Sequence, residues 1–314
     1  MGAPPQEAMP VLRVMRRPRR ETAMGYLFIS PWIIGFIVFV AGPLIASLII
    51  SMTDYNLLSS PQFIGLQNYA HMFGDANFWL SLQVTFYYAL LAVPIDLIVA
   101  LVLAILLNQN VRLMPFFRTV FYLPALLPPV AISMLWIWIL NPAYGILNTF
   151  LKTIGLPQPQ WFLTPQTTVP GYVIMSIWGL GTWMVIFLAG LQNVPAELYE
   201  AAVLDGSGVW AKFWHVTLPM ISPVLFFNLV MGIVGAFSFF TQAFVIGQGT
   251  GTGAGVSNSG LFYALYLYQK AFSELQMGYA SALGWALFLI VMLLTLLVFR
   301  SSALWVYYGG ESSR

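Results

Sequence analysis

Apolar residues run in long stretches along this chain, and short polar segments separate the stretches. A helix needs roughly 20 apolar residues to cross the hydrocarbon layer of a membrane. The stretches predict six membrane-spanning helices, near 26–52, 80–107, 119–140, 171–192, 222–246 and 278–299. Prolines lie in or beside several of them, which membrane helices accept where neighbouring groups satisfy the freed backbone. The pattern therefore predicts an all-α integral membrane protein with six transmembrane helices.

The distribution of Lys and Arg predicts the orientation of these helices. Such residues are retained on the cytoplasmic side of membrane proteins. With the N-terminus inside, ten of the twelve lie in inner segments, and only Lys152 and Lys270 lie outside. We therefore expect cytoplasmic N- and C-termini, a basic tail over 1–24, a membrane domain over 25–300 and a second tail over 301–314. The first apolar stretch is too long for a cleaved signal peptide, so we interpret it as a retained span.

Composition supports a lipid environment and excludes several functions. The chain is 60% hydrophobic and 7% charged, with a mean hydropathy of +0.83, whereas about a quarter of the residues in a soluble domain are charged. A net charge of +2 gives no basis for a nucleic-acid partner. The absence of cysteine and the separation of His71 from His215 exclude the usual metal sites. Asp54 and Asp75 are isolated acidic residues in outer segments, so we predict no catalytic and no metal-binding residues.

The cytoplasmic segment 193–221 gathers charge that the surrounding chain lacks. Its charged residues and its histidine are Glu197, Glu200, Asp205, Lys212 and His215. The segment predicts two short helices, with Pro195 in the first turn and Gly206 in the left-handed conformation that ends the first helix. Ser207 is expected to cap the second helix, and Pro219 to mark the entry into the fifth span.

The first of these helices has a face suited to close contact with another protein. Leu198, Ala201, Ala202 and Asp205 fall on one side at a spacing of three to four residues. The two alanines allow another backbone to approach closely, so a docking helix is one interpretation. An amphipathic loop lying on the membrane surface is the alternative.

One motif in this segment resembles that of a known family. Glu200-Ala201-Ala202, three residues, Gly206, nine residues and Val216-x-Leu218-Pro219 resemble the EAA loop of binding-protein-dependent ABC importer permeases, which have Ile where Val216 stands. The stretches FIGLQNY (63–69) and MGYASALGWALFLIVMLLTLLVF (277–299) are similar to the carbohydrate-uptake branch, which includes the maltose and glycerol-phosphate first permeases.

This resemblance implies a type I ABC importer permease fold and a set of partners. The chain would form a heterodimer with a second homologous permease in a bacterial or archaeal cytoplasmic membrane. An extracytoplasmic binding protein would deliver the substrate, and separate ABC ATPase subunits would bind ATP and Mg, so this chain would be no enzyme and hold no cofactor. The ATPase would dock on the EAA loop, with contacts from Glu197, Glu200, Ala201, Ala202, Asp205 and Gly206.

The sequence contains no phosphate-binding loop of its own. The pattern G-x-x-x-x-G-K-[ST], whose backbone and Lys hold nucleotide phosphates, is absent. The glycine-rich stretch GQGTGTGAG (247–255) falls on the predicted outer side, away from cytoplasmic ATP, and is expected to be a flexible loop. ATP hydrolysis is therefore assigned to another chain.

The spans suggest what kind of molecule crosses. They lack Lys and Arg in their interiors, while aromatic residues make up 16% of the chain. Aromatic faces stack on sugar rings, and amides and hydroxyls bond sugar hydroxyl groups. We hypothesise that Phe240, Thr241 and Gln242 line a sugar path, with ordinary helix packing as the alternative. Substrates of the glycerol-phosphate type, an ion-coupled secondary transporter and a membrane enzyme are the other functions considered.

Asp96 stands near the middle of the second predicted span. A charge at that depth costs at least about 2.5 kcal/mol, so the side chain is expected to face the bundle interior and to have a partner. A role in substrate or ion passage and a structural hydrogen bond both remain open for it.

Overall fold

The computed structural model describes residues 19–109 and 111–307, with side chains from residue 24 onward. Residues 1–18 of the predicted basic tail and 308–314 of the C-terminal tail lie outside the described residues. The described chain is mostly helical, as the hydrophobic pattern predicts. It divides after Ile49 into two units, which are treated separately.

The first unit contains the first candidate membrane span. Helix α1 (Arg19–Phe36) continues through a π-helical turn (Ile37–Ala41) into α2 (Gly42–Ser51), whose end belongs to the second unit. Pro43 follows the turn at once, and a π turn is one way in which a helix accommodates a proline, which lacks an N–H. Residues Met24–Ser51 are long and apolar enough to cross a membrane.

A short connection follows α2, and the FIGLQNY stretch organises it. Strands β1 (Thr53–Asp54) and β2 (Gln62–Phe63) pair antiparallel, and α3 (Gln67–Gly74) follows. The Asn68 side-chain amide donates to the carbonyl oxygens of Ser51 (2.8 Å) and Thr53 (2.9 Å). The hydroxyl groups of Tyr69 and Ser51 lie 2.8 Å apart. This stretch therefore ties the connection to the end of α2.

Helix α4 (Ala76–Leu107) is the central helix of the second unit. Its 32 residues span about 48 Å at 1.5 Å per residue, which exceeds the hydrocarbon thickness. The Asp75 carboxylate caps it by accepting from the Asn77 N–H at 2.9 Å. Ala100 and Ala104 are fully buried, and such small residues let neighbouring helices pack closely. Helices α8, α9, α12 and α14 pack around α4.

The third and fourth predicted spans are bent rather than straight. Helix α5 (Met114–Tyr122) and a 3₁₀ turn to Leu126 meet α6 (Pro129–Ile139) at 99°. Helix α7 (Ile146–Thr153) follows in the connection. Helix α8 (Pro165–Trp178) meets α9 (Gly181–Gln192) at 50°. The described residues therefore contain four helices able to span a membrane, or up to six if each bent pair is one span.

The charged segment forms two helices, and the second continues without a break into the next membrane-spanning helix. Helix α10 (Ala196–Leu204) is followed by α11 (Val209–Lys212), a π turn (Phe213–Thr217) and α12 (Leu218–Phe237). These last three pieces form one continuous helix over Val209–Phe237. Pro219 lies in the first turn of α12, two residues after the π turn, which agrees with its predicted place at the entry into the fifth span.

The fifth predicted span, near 222–246, is interrupted. Helix α12 ends at Phe237, and α13 begins at Thr241 and runs to Gly249. The glycine-rich stretch after it is folded, since the Gly253 N–H donates to the Gly247 carbonyl oxygen at 3.0 Å. Helix α14 (Tyr263–Tyr268), a π turn (Gln269–Ser273) and α15 (Met277–Ser302) complete the described chain.

Small residues set the distances between the helices around α12. A Cβ atom on Gly190 of α9 would lie 2.8 Å from Val224, and one on Gly232 would lie 2.8 Å from Trp183. Glycine at these two positions therefore permits α9 and α12 to approach closely, as in other membrane helix pairs.

Candidate functional site

Helix α10 is exposed on the outside of the helical bundle. None of its residues is buried, and Glu197, Glu200 and Asp205 beside it are exposed. Within the described part of the chain the ion pair found is Lys270–Glu274, so these three carboxylates form none there. A short helix with exposed acidic groups is available for a polar contact with another molecule.

The turn after α10 has the conformation that the sequence predicts for Gly206. Its φ angle is +76°, a left-handed value that glycine adopts without steric cost. The Gly206 N–H donates to the Val203 carbonyl oxygen at 3.0 Å, and the Ser207 N–H donates to the Ala202 carbonyl oxygen at 2.8 Å. This pair of bonds is the Schellman motif that ends many helices.

The start of the second helix differs from the prediction. The residue before α11 is Gly208, and no side chain caps that helix, so the expected capping role of Ser207 is wrong. The chain at Gly208 is extended (φ −71°, ψ 175°), which already begins the helix without a side-chain bond. Ala202 is half-buried, whereas Ala201 and Leu198 are exposed.

A hydrogen bond joins the exposed helix to the membrane helix. The Tyr199 hydroxyl of α10 lies 3.0 Å from the Thr217 hydroxyl in the π turn. Thr217 is buried, and α12 continues directly from it. Helix α10 is therefore connected to α12 both by this side-chain bond and through the main chain.

The exposed surface of α11 and the π turn is aromatic, whereas the exposed surface of α10 is acidic. Trp210 (76% exposed) and Trp214 (57% exposed) project from it and from the π turn. Together with residues 97–105 of α4 they line an apolar groove of about 520 Å³. Interfacial tryptophans are typical of membrane boundaries, so the membrane-surface interpretation fits α11, whereas the docking interpretation fits α10.

The interruption of the fifth predicted span is filled by an aromatic cluster. The Phe239 ring packs against Tyr88 of α4 at 4.7 Å and against Phe262 at 4.7 Å between ring centroids. Tyr172 of α8 contacts the Phe239 and Phe262 rings at 5.4 and 5.2 Å. The backbone leaves the helix at 238–240, and the Phe239 side chain enters the interior there.

Phe240, Thr241 and Gln242 begin the helix after this interruption. All three are half-buried. The Phe240 ring stacks on Phe244 at 5.6 Å and lies 4.9 Å from the ring of Tyr268. The structure thus brings the three predicted residues together at a broken helix, a feature that lines binding sites in many transporters.

Asp96 lies eight residues further along α4 than Tyr88. It is buried, and its Oδ1 accepts a hydrogen bond from the Ser176 hydroxyl of α8 at 2.9 Å. The Ser176 hydroxyl also lies 2.8 Å from the Val173 carbonyl oxygen. The carboxyl group thus faces the bundle interior and has a partner, which agrees with a structural hydrogen bond.

Asp75 is not isolated, contrary to the prediction from sequence. Its Oδ2 accepts hydrogen bonds from the hydroxyl groups of Tyr266 and, at 2.8 Å, Tyr279. Burial raises the pKa of Asp75, but these hydroxyl groups, the Asn77 N–H and the nearby Lys270 charge together lower the pKa below its ordinary value. Its position just before a long helix was the available signal, because aspartate is a common N-cap residue.

Comparison with known proteins identifies the family of this chain. Residues 97–305 match the family described as "Binding-protein-dependent transport system inner membrane component". A probable ABC transporter permease protein of Bacillus subtilis, YesP, is 42% identical over 96% of this chain and 97% of its own length. The resemblance indicated by the EAA segment is thereby confirmed, and the relatives are named as permease proteins rather than enzymes.

Further relatives carry names from oligosaccharide transport. The arabinooligosaccharides transport system permease protein AraP of Bacillus subtilis is 32% identical over 90% of this chain and 89% of its own. The trehalose/maltose permease protein MalF of Thermococcus litoralis is 31% identical over 79% and 84%. A chain of a bacterial alginate ABC transporter structure shares the fold, with a TM-score of 0.76, 21% identity and coverage of 90% and 95%. The chain therefore belongs to the family of inner membrane components of binding-protein-dependent transport systems, as a permease subunit of the ABC type.

Proposed function

We propose that this chain is one half of the heterodimeric membrane channel of an ABC importer for a sugar or oligosaccharide. The observation that carries the proposal is the exposed helix α10, which ends in the left-handed Gly206 and is tied through Tyr199 and Thr217 to the unbroken helix 209–237. Such a helix offers a soluble partner a rigid grip whose movement reaches the membrane interior.

The partner at this grip is an ABC ATPase subunit, which holds ATP and Mg. Glu197, Glu200 and Asp205 supply polar contacts, the small side chains of Ala201 and Ala202 allow close approach, and Gly206 sets the turn. The exposure of α10 supports these roles. ATP-driven movement of the ATPase subunits reorients α12 and opens the substrate path to alternate sides of the membrane.

The topology we propose has six spans with both termini in the cytoplasm of a bacterial or archaeal cell. The ten-to-two distribution of Lys and Arg supports it. Counting each bent pair as one span supports the number six. Under this topology α10 lies inside, and α3 and the start of α4 lie outside.

The substrate class follows from the relatives and from the broken helix. The relative AraP is named as a permease for arabinooligosaccharides, and the relative MalF as a permease for trehalose and maltose. Phe240, Thr241 and Gln242 combine an aromatic face with a hydroxyl and an amide, which suits a sugar. An extracytoplasmic binding protein delivers the substrate. A glycerol-phosphate-type substrate is the second candidate, and its charge would require a cationic partner from the other permease.

The proposal is tested by uptake into vesicles that contain this chain with its second permease, its ATPase subunits and its binding protein. Labelled arabino-oligosaccharides, maltose, lactose and glycerol 3-phosphate are supplied outside, with ATP enclosed. We expect sugar uptake that requires ATP and the ATPase subunits. It should continue when ionophores abolish ion gradients.

Each alternative has its own outcome in this assay. Uptake that needs no ATP and stops with ionophores would show an ion-coupled secondary transporter. Uptake of glycerol 3-phosphate alone would replace the sugar assignment and keep the ABC importer assignment. A binding assay with the ATPase subunit and a permease carrying Glu200→Ala tests the docking site separately from the substrate.

A further inference from the structure

The Asp75 carboxylate lies where four helices meet. It follows α3, caps α4 through the Asn77 N–H at 2.9 Å, and accepts from the hydroxyl groups of Tyr266 on α14 and Tyr279 on α15. We call Asp75, Tyr266 and Tyr279 the tyrosine clasp. A carboxylate that accepts several hydrogen bonds makes stronger ones than a neutral acceptor does.

Further charged and aromatic groups surround the clasp. The Lys270 ammonium group lies 5.5 Å from the centre of the Tyr266 ring and 6.0 Å from that of Tyr279. Lys270 also pairs with Glu274 at 2.8 Å, and the His71 ring meets the edge of Tyr279 at 5.0 Å. A positive charge beside the tyrosines favours the ionised state of Asp75.

The element that the clasp holds is too short to be stable alone. Helix α14 has six residues and its π turn has five, whereas isolated helices shorter than about 12 residues are marginal in water. Tyr263 fixes the N-terminal end of α14. Its N–H donates to the Thr85 hydroxyl at 2.9 Å, and its hydroxyl donates to the Leu283 carbonyl oxygen at 2.9 Å.

The clasp supplies the second attachment of this segment, nearer the end of the bundle. Asp75 caps α4 and Thr85 lies ten residues further along the chain, which corresponds to about 15 Å along the helix. The segment 263–273 is therefore held at two levels. Its side chains also pack in the bundle, since Leu265 and Ala271 are buried, so the clasp adds a polar attachment to an apolar one.

This segment carries an aromatic row that continues from the broken helix. The Tyr268 ring lies 4.9 Å from Phe240 and 5.3 Å from Phe244. One turn further, Phe272 lies 5.0 Å from Tyr268 and is 60% exposed. Tyr266, in the clasp, is two residues before Tyr268. The orientation of α14 therefore decides where the Tyr268 ring stands relative to Phe240.

We propose that Asp75 is a positioning residue for transport, which holds α14 so that Tyr268 forms one wall of the substrate path beside Phe240. This inference rests on the proposed function, because that function is what makes the space beside Phe240 a substrate path. The alternative is a clasp that only stabilises the fold, in which case its loss would lower the amount of folded protein and leave substrate affinity unchanged.

The test compares Asp75→Ala with Asp54→Asn, an exposed aspartate on β1 outside the clasp, in the reconstituted transporter. We expect Asp75→Ala to raise the KM for sugar uptake about tenfold, which corresponds to about 1.4 kcal/mol. The maximal rate per inserted protein should stay within about twofold, and Asp54→Asn should match the parent. Asp75→Asn, which keeps one oxygen acceptor, should lie between.

Two further measurements separate positioning from stability. Tyr268→Ala should raise the KM, and adding Asp75→Ala to it should have little further effect, because the ring to be positioned is gone. Because the chain has no cysteine, spin labels on Asn77→Cys and Phe272→Cys report the distance from α4 to the segment. That distance distribution should broaden in Asp75→Ala.

The outcomes distinguish this inference from the proposed function. An unchanged distance distribution, an unchanged KM in Asp75→Ala, or fully additive effects of Asp75→Ala and Tyr268→Ala would overturn the positioning role. A parent that performs no ATP-driven sugar uptake would overturn the proposed function. The distance measurement needs no transport, so it still tests whether Asp75 fixes the segment.

Discussion

The left-handed turn at Gly206 provides a sharp test of the docking helix. Gly206 and Gly208 are two residues apart, and a Cβ atom on either would meet no other atom of this chain within 4 Å. Their backbones differ, since φ is +76° at Gly206 and −71° at Gly208. The same substitution, Gly206→Ser or Gly208→Ser, therefore adds the same atoms without a collision and differs only in backbone strain.

The expected magnitude follows from this difference. A non-glycine residue in the left-handed region costs about 1–2 kcal/mol, so Gly206→Ser shifts the equilibrium between formed and unformed turn by roughly 5- to 30-fold. Gly208→Ser meets no such cost, and serine is a good residue at a helix N-cap. Gly206→Asn should fall closer to the parent, because asparagine tolerates the left-handed region.

The assay is the affinity of the purified ATPase subunit for the permease in lipid nanodiscs, followed by ATP-driven uptake. Because docking needs the formed turn, Gly206→Ser should weaken binding roughly 5- to 30-fold, with uptake lowered in parallel. Gly208→Ser should bind like the parent. Both variants should insert and fold to the same extent, since α10 buries no side chain.

Two results would refute this reasoning. If Gly206→Ser bound the ATPase as tightly as the parent, the rigid turn would not be part of the grip. If Gly208→Ser were as defective as Gly206→Ser, the added side chains would be clashing with the ATPase surface, and backbone conformation would not be the cause.

Three other substitutions test the helix packing and the substrate path. Gly278→Ala places a Cβ atom 2.0 Å from the Thr53 carbonyl oxygen, so we expect a loss of about 1–3 kcal/mol as a lower thermal unfolding midpoint. Gly284→Ala on the same helix has its nearest neighbour, a Leu267 side-chain carbon, at 3.7 Å and should be neutral or slightly stabilising. Gln242→Leu keeps the side-chain volume and removes the amide, so the KM for sugar should rise several-fold; unchanged affinity and selectivity would remove Gln242 from the path.

Local patterns in the sequence predicted α10 and the turn after it. The apolar stretches and the charged segment between them place α10 outside the bundle, and Gly206 can be assigned a left-handed turn because few other residues adopt one without cost. The capping of α11 could not be read in the same way, because an extended Gly208 starts that helix without a side-chain bond.

Interactions between distant residues could not be read from the sequence. The fifth span has three phenylalanines and a single serine in Phe237–Phe240, so hydrophobicity predicts a continuous helix there. The interruption depends on Phe239 packing against Tyr88, Tyr172 and Phe262, which come from three other parts of the chain. The partners of Asp75 are likewise about 190 and 200 residues away along the chain, so the clasp required the fold.

The uninterrupted helix over Val209–Phe237 has a mechanical consequence. Its 28 rises of 1.5 Å make a rod of about 42 Å, which follows α10 in the chain and is also joined to it by the Tyr199–Thr217 hydrogen bond, eight residues after the start of the rod. A tilt of about 10° at that end would displace Phe237 by about 7 Å at the other, a figure that follows from the same rise. The adjoining Phe239 ring lies 4.7–5.4 Å from the rings of Tyr88, Tyr172 and Phe262, so a displacement of that size would separate it from them. Under the proposed function, the helix would therefore act as a lever that converts a small rotation of the cytoplasmic loop into the withdrawal of the Phe239 ring from this cluster.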